Sequence, residues 1–146
     1  MGAVSVPLSV KATATEIEYY LQDSKADLVV TEKHFLPKFA SISTIKVPIV
    51  VLDDFPPSKM VTSNTEFTLA NNRPKDDCLI IYTSGTTGKP KGVMHTHYSH
   101  ESQIKILSDY WDWSEDDKIL NVLPMHHVHG LVNIMNCALW NGATTE

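Results

Sequence analysis

Residues 78–92 read CLIIYTSGTTGKPKG, an apolar run followed at once by a loop rich in glycine, hydroxyl side chains and lysine. The run from Cys78 to Tyr82 is typical of a buried strand. Gly85 and Gly88 permit positive φ angles, at which successive backbone N–H groups can converge on an anion. The stretch therefore predicts a strand that leads into a phosphate-binding loop.

The loop carries the groups that a polyphosphate requires. Lys89 and Lys91 supply positive charge, and Pro90 holds Lys89 in an extended conformation. The spacing is neither that of a Walker loop nor that of a dinucleotide-binding Gly-x-Gly-x-x-Gly. A flexible, solvated turn is the alternative, but it leaves this composition unexplained. The predicted phosphate-binding residues are Thr83, Ser84, Gly85, Thr86, Thr87, Gly88, Lys89 and Lys91.

The residues before the loop alternate between strand and helix patterns. Thr13 and Glu16 form a capping box that predicts the start of a helix. A second helix is predicted at 32–42, disturbed at Pro37. A polar, proline-containing linker follows at 53–77, with at most one edge strand at 66–69. The strands predicted in this part are 3–8, 26–31 and 47–52.

The residues after the loop continue the alternation. An amphipathic helix is predicted at 98–111, and a strand at 119–123 that ends at Pro124. A further helical stripe ends at Asn141–Gly142, where the next strand begins. The whole order predicts an α/β fold of mostly parallel sheet units with flanking helices.

Composition excludes several classes of protein. Twelve basic and seventeen acidic residues give a net charge of −5 among 146 residues, which argues against a nucleic-acid or anionic-membrane surface. The longest apolar stretch, 131–140, is interrupted by two asparagines and is too short to span a bilayer. Cys78 and Cys137 lie in apolar surroundings, which predicts buried thiols in a reducing compartment.

Six of the seven histidines lie in two clusters, at 94–100 and 124–130. Their spacing does not match a zinc site, so we disfavour that reading. The first cluster begins a predicted helix and is expected to cap or pack. The second follows a predicted strand end, where α/β sheets bind their ligands.

Residues 80–91 resemble the AMP-binding signature of the adenylate-forming superfamily, which includes acyl-CoA synthetases. The resemblance implies that the loop holds the β and γ phosphates of ATP while a carboxylic acid attacks the α phosphate. It implies Lys91 as the invariant basic position, Mg²⁺ to offset the charge of ATP, and coenzyme A as the thiol substrate. The expected partners are small molecules: a carboxylic acid, ATP and CoA.

The family's Pro-x-x-His-x-x-Gly segment lies against the acyl pocket and falls here on Pro124, His127 and Gly130. His127 is then a hydrogen-bond donor near the substrate carboxylate. Most relatives carry an aromatic residue where His126 stands, and often another where His129 stands. Three imidazoles fit a second carboxylate better than a fatty acyl tail. The segment therefore resembles malonyl-CoA synthetases, with short-chain or medium-chain acyl-CoA synthetases as the alternative. The predicted acyl-pocket residues are His126, His127, His129 and Gly130.

The resemblance also implies a domain organisation. Residues 1–146 are expected to form part of the family's large N-terminal domain, with an α/β unit at 1–52, the linker at 53–77, and the phosphate loop and acyl-pocket segment at 78–146. Because the family's further catalytic groups and C-terminal domain have no counterpart here, we expect neither a complete catalytic set, nor a metal site, nor efficient turnover by the chain alone. A truncated, non-catalytic nucleotide-binding protein is the alternative. The implied location is intracellular, mitochondrial or cytosolic.

Overall fold

The computed structural model describes residues 2–43, 46–54, 70–84 and 88–146. The chain divides into two compact units, one of residues 10–69 and one that combines residues 1–9 with 70–146. In both units, short strands form pairs and helices flank them, which confirms the predicted α/β class. The linker predicted at 53–77 falls largely outside the described residues, as does its edge strand at 66–69.

The unit at 10–69 begins with helix α1, Ala14–Ser24, which starts where the sequence predicts. The Thr13 hydroxyl accepts a hydrogen bond from the backbone N–H of Glu16 at 3.3 Å. The Glu16 carboxylate in turn accepts one from the backbone N–H of Thr13 at 2.7 Å. The Thr13 hydroxyl also donates to this carboxylate, at 2.8 Å. The backbone N–H and, secondly, the hydroxyl of Thr13 stabilise the charged carboxylate and so lower the pKa of Glu16. The predicted capping box is therefore confirmed.

Strands β1, Val29–Thr31, and β2, Ile49–Val51, pair in parallel, as predicted, but are shorter than the apolar runs that indicated them. A 3-10 turn, Lys33–Phe35, and helix α2, Leu36–Ala40, lie between them. The helix predicted at 32–42 is divided just before Pro37 into the 3-10 turn and α2. Pro37 itself lies in the first turn of α2, where a missing N–H costs little. The buried residues of this unit are Ala12, Ile17, Leu21 and Val29.

In the second unit, strands β3, Asp77–Thr83, and β4, Lys91–Thr96, form an antiparallel hairpin. The mostly parallel arrangement expected from the sequence does not extend to this pair. Only residues 84–90 connect the two strands, and a parallel pair needs a crossover of a dozen or more residues. The strand predicted at 3–8 is reduced to a single bridge, in which Ser5 exchanges backbone bonds with Cys78 and Ile80 at 2.9 and 2.8 Å.

Helix α3, His97–Tyr110, follows β4 directly and matches the helix predicted at 98–111. Strand β5, Lys118–Ile119, pairs in parallel with β6, Thr144–Thr145. The predicted strand 119–123 is thus too long. Leu120 and Val122 are 70% and 75% exposed, so their apolar character is not used to build a buried strand.

Between β5 and β6 the chain forms a π-helix, His129–Asn136, continued by helix α4, Cys137–Trp140. This is the predicted helical stripe, and Gly142 with φ +75° ends it as predicted. Cys137 is fully buried and Cys78 partly so, and both thiols are free. Within the described ranges, no helix is long and apolar enough to cross a membrane. The core of this unit joins Leu79, Ile81, Ile104, Val132 and Cys137.

We expect Thr13→Ala to lower the free energy of unfolding of the 10–69 unit by about 1 kcal/mol, because it removes the side chain that caps α1. Urea denaturation followed by circular dichroism measures the change. Thr15→Ala, at an exposed position inside the same helix, is the matched control and should not destabilise. Equal stability of Thr13→Ala and the unsubstituted chain would contradict the role of the cap.

Candidate functional site

The predicted phosphate loop closes a hairpin that is anchored in the core. Leu79 and Ile81, which alternate along β3, are only 4% and 2% exposed. At the base of the loop Thr83 pairs with Lys91, and the Thr83 hydroxyl donates to the Lys91 carbonyl at 3.5 Å. Both ends of the loop are therefore fixed by the strands on which they lie.

The described loop residues have the features that the sequence predicts for an anion site. Gly88 adopts φ +94°, a left-handed conformation that other residues rarely reach. Ser84, Lys89 and Lys91 are exposed and thus accessible to a ligand. Gly85, Thr86 and Thr87 lie outside the described residues, so the assignment of the whole loop to phosphate stays a prediction.

Gly92 has a role in the hairpin that the sequence reasoning did not assign. A Cβ atom at this position would lie 2.9 Å from Cγ2 of Ile80 and 3.3 Å from Cζ of Tyr82. The side chains of β3 therefore pack over the backbone of β4 just beyond the loop. In the sequence, the glycine directly after the second loop lysine was the feature that could have indicated this close packing.

The second histidine cluster forms a compact turn before the π-helix. The backbone N–H of His127 donates to the Pro124 carbonyl at 3.1 Å, and the His127 carbonyl accepts from Leu131 at 3.0 Å. The rings of His126 and His127 are neighbours, with centroids 4.2 Å apart. Burial, and secondly the adjacent His127, lowers the pKa of His126, so this imidazole is neutral at physiological pH.

Gly130 makes the closest backbone approach in this segment. A Cβ atom there would lie 2.7 Å from the Pro124 carbonyl oxygen and 2.9 Å from that of Leu123. Both neighbours are backbone atoms, which cannot move aside as a side chain can. The first turn of the π-helix therefore lies in direct contact with the backbone of residues 123–124. A side chain at position 130 would collide with that backbone, so only glycine fits there.

The side chain of Asn121 makes hydrogen bonds to the same turn. The sequence analysis did not identify this residue. Its Nδ2 donates to the Gly130 carbonyl at 3.2 Å, and its Oδ1 accepts from the backbone N–H of Leu123 at 3.3 Å. In the sequence, a single amide side chain inside the apolar run 119–123 was the feature that could have indicated this role. Asn121 links the end of β5 to the start of the π-helix.

The other predicted pocket histidine, His129, is exposed, and its Nδ1 lies 3.4 Å from Nδ2 of Asn133. In the first cluster His100 packs as expected, with Nε2 at 2.9 Å from Nδ2 of Asn136. Burial lowers the pKa of His100, and nearby His95 and His97 add to the effect. Among the described residues no three His, Cys, Asp or Glu side chains are placed to hold a metal ion.

Comparison with known proteins adds independent information. Residues 1–145 match the family described as AMP-binding enzyme. The chain is 40% identical over 147 residues to the mitochondrial malonate–CoA ligase ACSF3 of Xenopus laevis, covering 98% of this chain and 25% of that protein. It therefore spans about a quarter of the length of the curated relatives that it matches.

Two solved structures have the same fold. ATP-bound MatB from Rhodopseudomonas palustris superimposes with a TM-score of 0.84 at 28% identity, over 97% of this chain and 29% of MatB. A malonyl-CoA ligase in a ternary product complex with methylmalonyl-CoA and AMP gives a TM-score of 0.81 at 28% identity, over 99% of this chain and 29% of that one. The fold class predicted from the sequence is thus that of the N-terminal part of these ligases.

We expect Gly130→Ala to destabilise the protein by about 1–3 kcal/mol, because the added methyl group meets two backbone oxygens. Urea denaturation of the purified variant measures the loss. Gly92→Ala is the comparison variant and should cost less, since its methyl group meets the side chains of Ile80 and Tyr82. A Gly130→Ala variant as stable as the unsubstituted chain would contradict the close approach.

Proposed function

Because the chain belongs to the AMP-binding enzyme family, we propose that it supplies the nucleotide loop and part of the acid pocket of an ATP-dependent acid–thiol ligase. The proposed reaction is malonate + ATP + CoA → malonyl-CoA + AMP + pyrophosphate, through a malonyl-adenylate. The observation that carries the proposal is a core-anchored hairpin whose loop presents hydroxyl groups, glycine and two exposed lysines.

The nucleotide side of the proposal depends on local charge. The chain carries a net charge of −5, so its average field repels a triphosphate. Lys89 and Lys91 place two positive charges on one exposed loop, and Lys91 is the first residue of β4. The backbone of Lys91 pairs with Thr83 and is therefore fixed by the hairpin. We assign the contact with the β and γ phosphates to Lys91 first.

The acid side depends on the histidine turn. His126 is partly buried and His127 is exposed beside it, with the rings in contact. Neutral imidazoles can donate N–H groups to carboxylate oxygens without carrying charge of their own. A dicarboxylate offers acceptors at both ends, whereas a fatty acyl tail would leave such donors unpaired. The names of the Xenopus relative and of the ligase in the ternary complex support malonate or a similar acid.

Magnesium would accompany ATP and offset the charge of its phosphates when bound. The described part of the chain brings together no three His, Cys, Asp or Glu side chains that could hold a metal ion. An ion of this kind is held mainly by phosphate oxygens and water, and we derive no step through it.

We propose an intracellular location, mitochondrial or cytosolic. The name of the Xenopus relative, a mitochondrial enzyme, supports this location. Subcellular fractionation with an antibody against this chain tests it, and recovery of the protein from the culture medium would contradict it.

We expect Lys91→Ala to weaken ATP binding by about tenfold or more, because it removes a charged partner of the phosphates. Isothermal titration of the purified chain with ATP measures the dissociation constant. Lys118→Ala removes an exposed lysine of β5 and should leave the affinity unchanged. Equal losses in both variants would mean that only net charge matters and would contradict a specific site.

We expect malonate to bind at least about tenfold more tightly than propionate or octanoate, because its second carboxylate gains charge-assisted hydrogen bonds. Titration calorimetry in the presence of a non-hydrolysable ATP analogue measures the three affinities. His127→Ala should reduce the preference for malonate, while His34→Ala, an exposed histidine of the other unit, should not. Tighter binding of octanoate would favour a medium-chain acyl-CoA synthetase, and ATP binding without any acid binding would favour a non-catalytic nucleotide-binding protein.

A further inference from the structure

A chain of three side chains connects helix α3 to the histidine segment. Nε2 of Gln103, on α3, donates to Oδ1 of Asn133 at 2.7 Å. Nδ2 of Asn133 lies 3.4 Å from Nδ1 of His129, one turn earlier in the π-helix. Neither Gln103 nor Asn133 was singled out by the sequence, and the proposed function has not used them.

The first of these bonds is held in place by the core. Gln103 precedes Ile104 and Asn133 follows Val132, and these two apolar residues are 4% and 1% exposed. The Gln103–Asn133 bond is itself partly buried, so water competes with it less than at an open surface. The amide of Asn133 is therefore oriented by a partner on another helix.

The orientation of that amide determines which end faces the histidine. An asparagine side chain has one accepting oxygen and one donating amino group. Because Gln103 takes the oxygen, the amino group is left for His129. An amide NH₂ cannot accept a hydrogen bond, so Nδ1 of His129 must be the acceptor and must carry no proton.

We propose that Gln103 and Asn133 are positioning residues that hold neutral His129 as the tautomer protonated at Nε2. In a neutral imidazole only one nitrogen carries hydrogen, and the bond made by one nitrogen selects the state of the other. The Nε2–H group is then the donor that His129 offers to a substrate carboxylate. This last step rests on the proposed function, whereas the tautomer itself does not.

The test uses the full chain labelled with ¹⁵N-histidine, at about pH 8.5, where histidines with ordinary pKa values are neutral. Two-bond ¹H–¹⁵N spectra distinguish protonated from unprotonated ring nitrogens, and the signals of His129 are identified by their loss in His129→Gln. We expect Nε2 protonated and Nδ1 unprotonated in the unsubstituted chain. The opposite tautomer there would overturn the proposal.

The decisive variant is Gln103→Glu, in which the carboxylate can only accept. It should draw the amino group of Asn133 toward itself and turn Oδ1 toward His129. The ratio of Nε2–H to Nδ1–H tautomers should then fall about tenfold, which corresponds to the free energy of roughly one hydrogen bond. Asn133→Asp, which presents only acceptors, should act in the same direction. Tyr110→Glu adds the same charge at an 87% exposed site of α3 and should leave the ratio unchanged.

An unchanged ratio in a folded Gln103→Glu variant, with its circular dichroism preserved, would overturn the proposal. Malonate binding to a further variant, Asn133→Leu, tests the proposed function separately from the tautomer, because this variant removes the amide without adding charge. We expect malonate binding to Asn133→Leu to weaken several-fold. The tautomer can respond as expected in Gln103→Glu while neither the unsubstituted chain nor Asn133→Leu binds malonate. In that case the positioning role of Gln103 and Asn133 stands, and malonate is not the substrate.

Discussion

The structure of the second unit depends on one set of apolar contacts. Leu79 and Ile81 project from one face of β3 and pack with Ile104 of α3 and with Val132 and Cys137 of the C-terminal helices. Full burial of such a side chain contributes about 1.5–3 kcal/mol. The same contacts hold the β3–β4 hairpin and the helical segment that follows the histidine turn, so both are attached to one core.

Three polar contacts beside this core join α3 to the segment 129–141. These contacts are directional and partly buried, so they select one alignment of the helices where apolar packing alone would tolerate several. The alignment sets the surroundings of the histidine turn, because the π-helix begins directly after it. The pairs are Gln103 with Asn133, His100 with Asn136, and Ser108 with Asn141.

Local signals in the sequence predicted much of the fold, whereas the residues assigned to the candidate site stay predictions. The Thr13–Glu16 capping box places the start of α1 because both partners lie within one turn. Strand predictions were less accurate, because a strand needs a partner that the pattern does not identify. Leu120 and Val122 alternate as in a strand, yet the pairing of β5 ends before them, apart from one bond at Asn121.

The sequence by itself determined the start of α1 and the α/β class, since these follow from residues close together in the chain. Only the tertiary structure decided that Gly130 lies against the 123–124 backbone and that Gln103 orients Asn133. Gln103 and Asn133 lie thirty positions apart. Contacts at such separations arise from packing of the core, and no local pattern of residues encodes them.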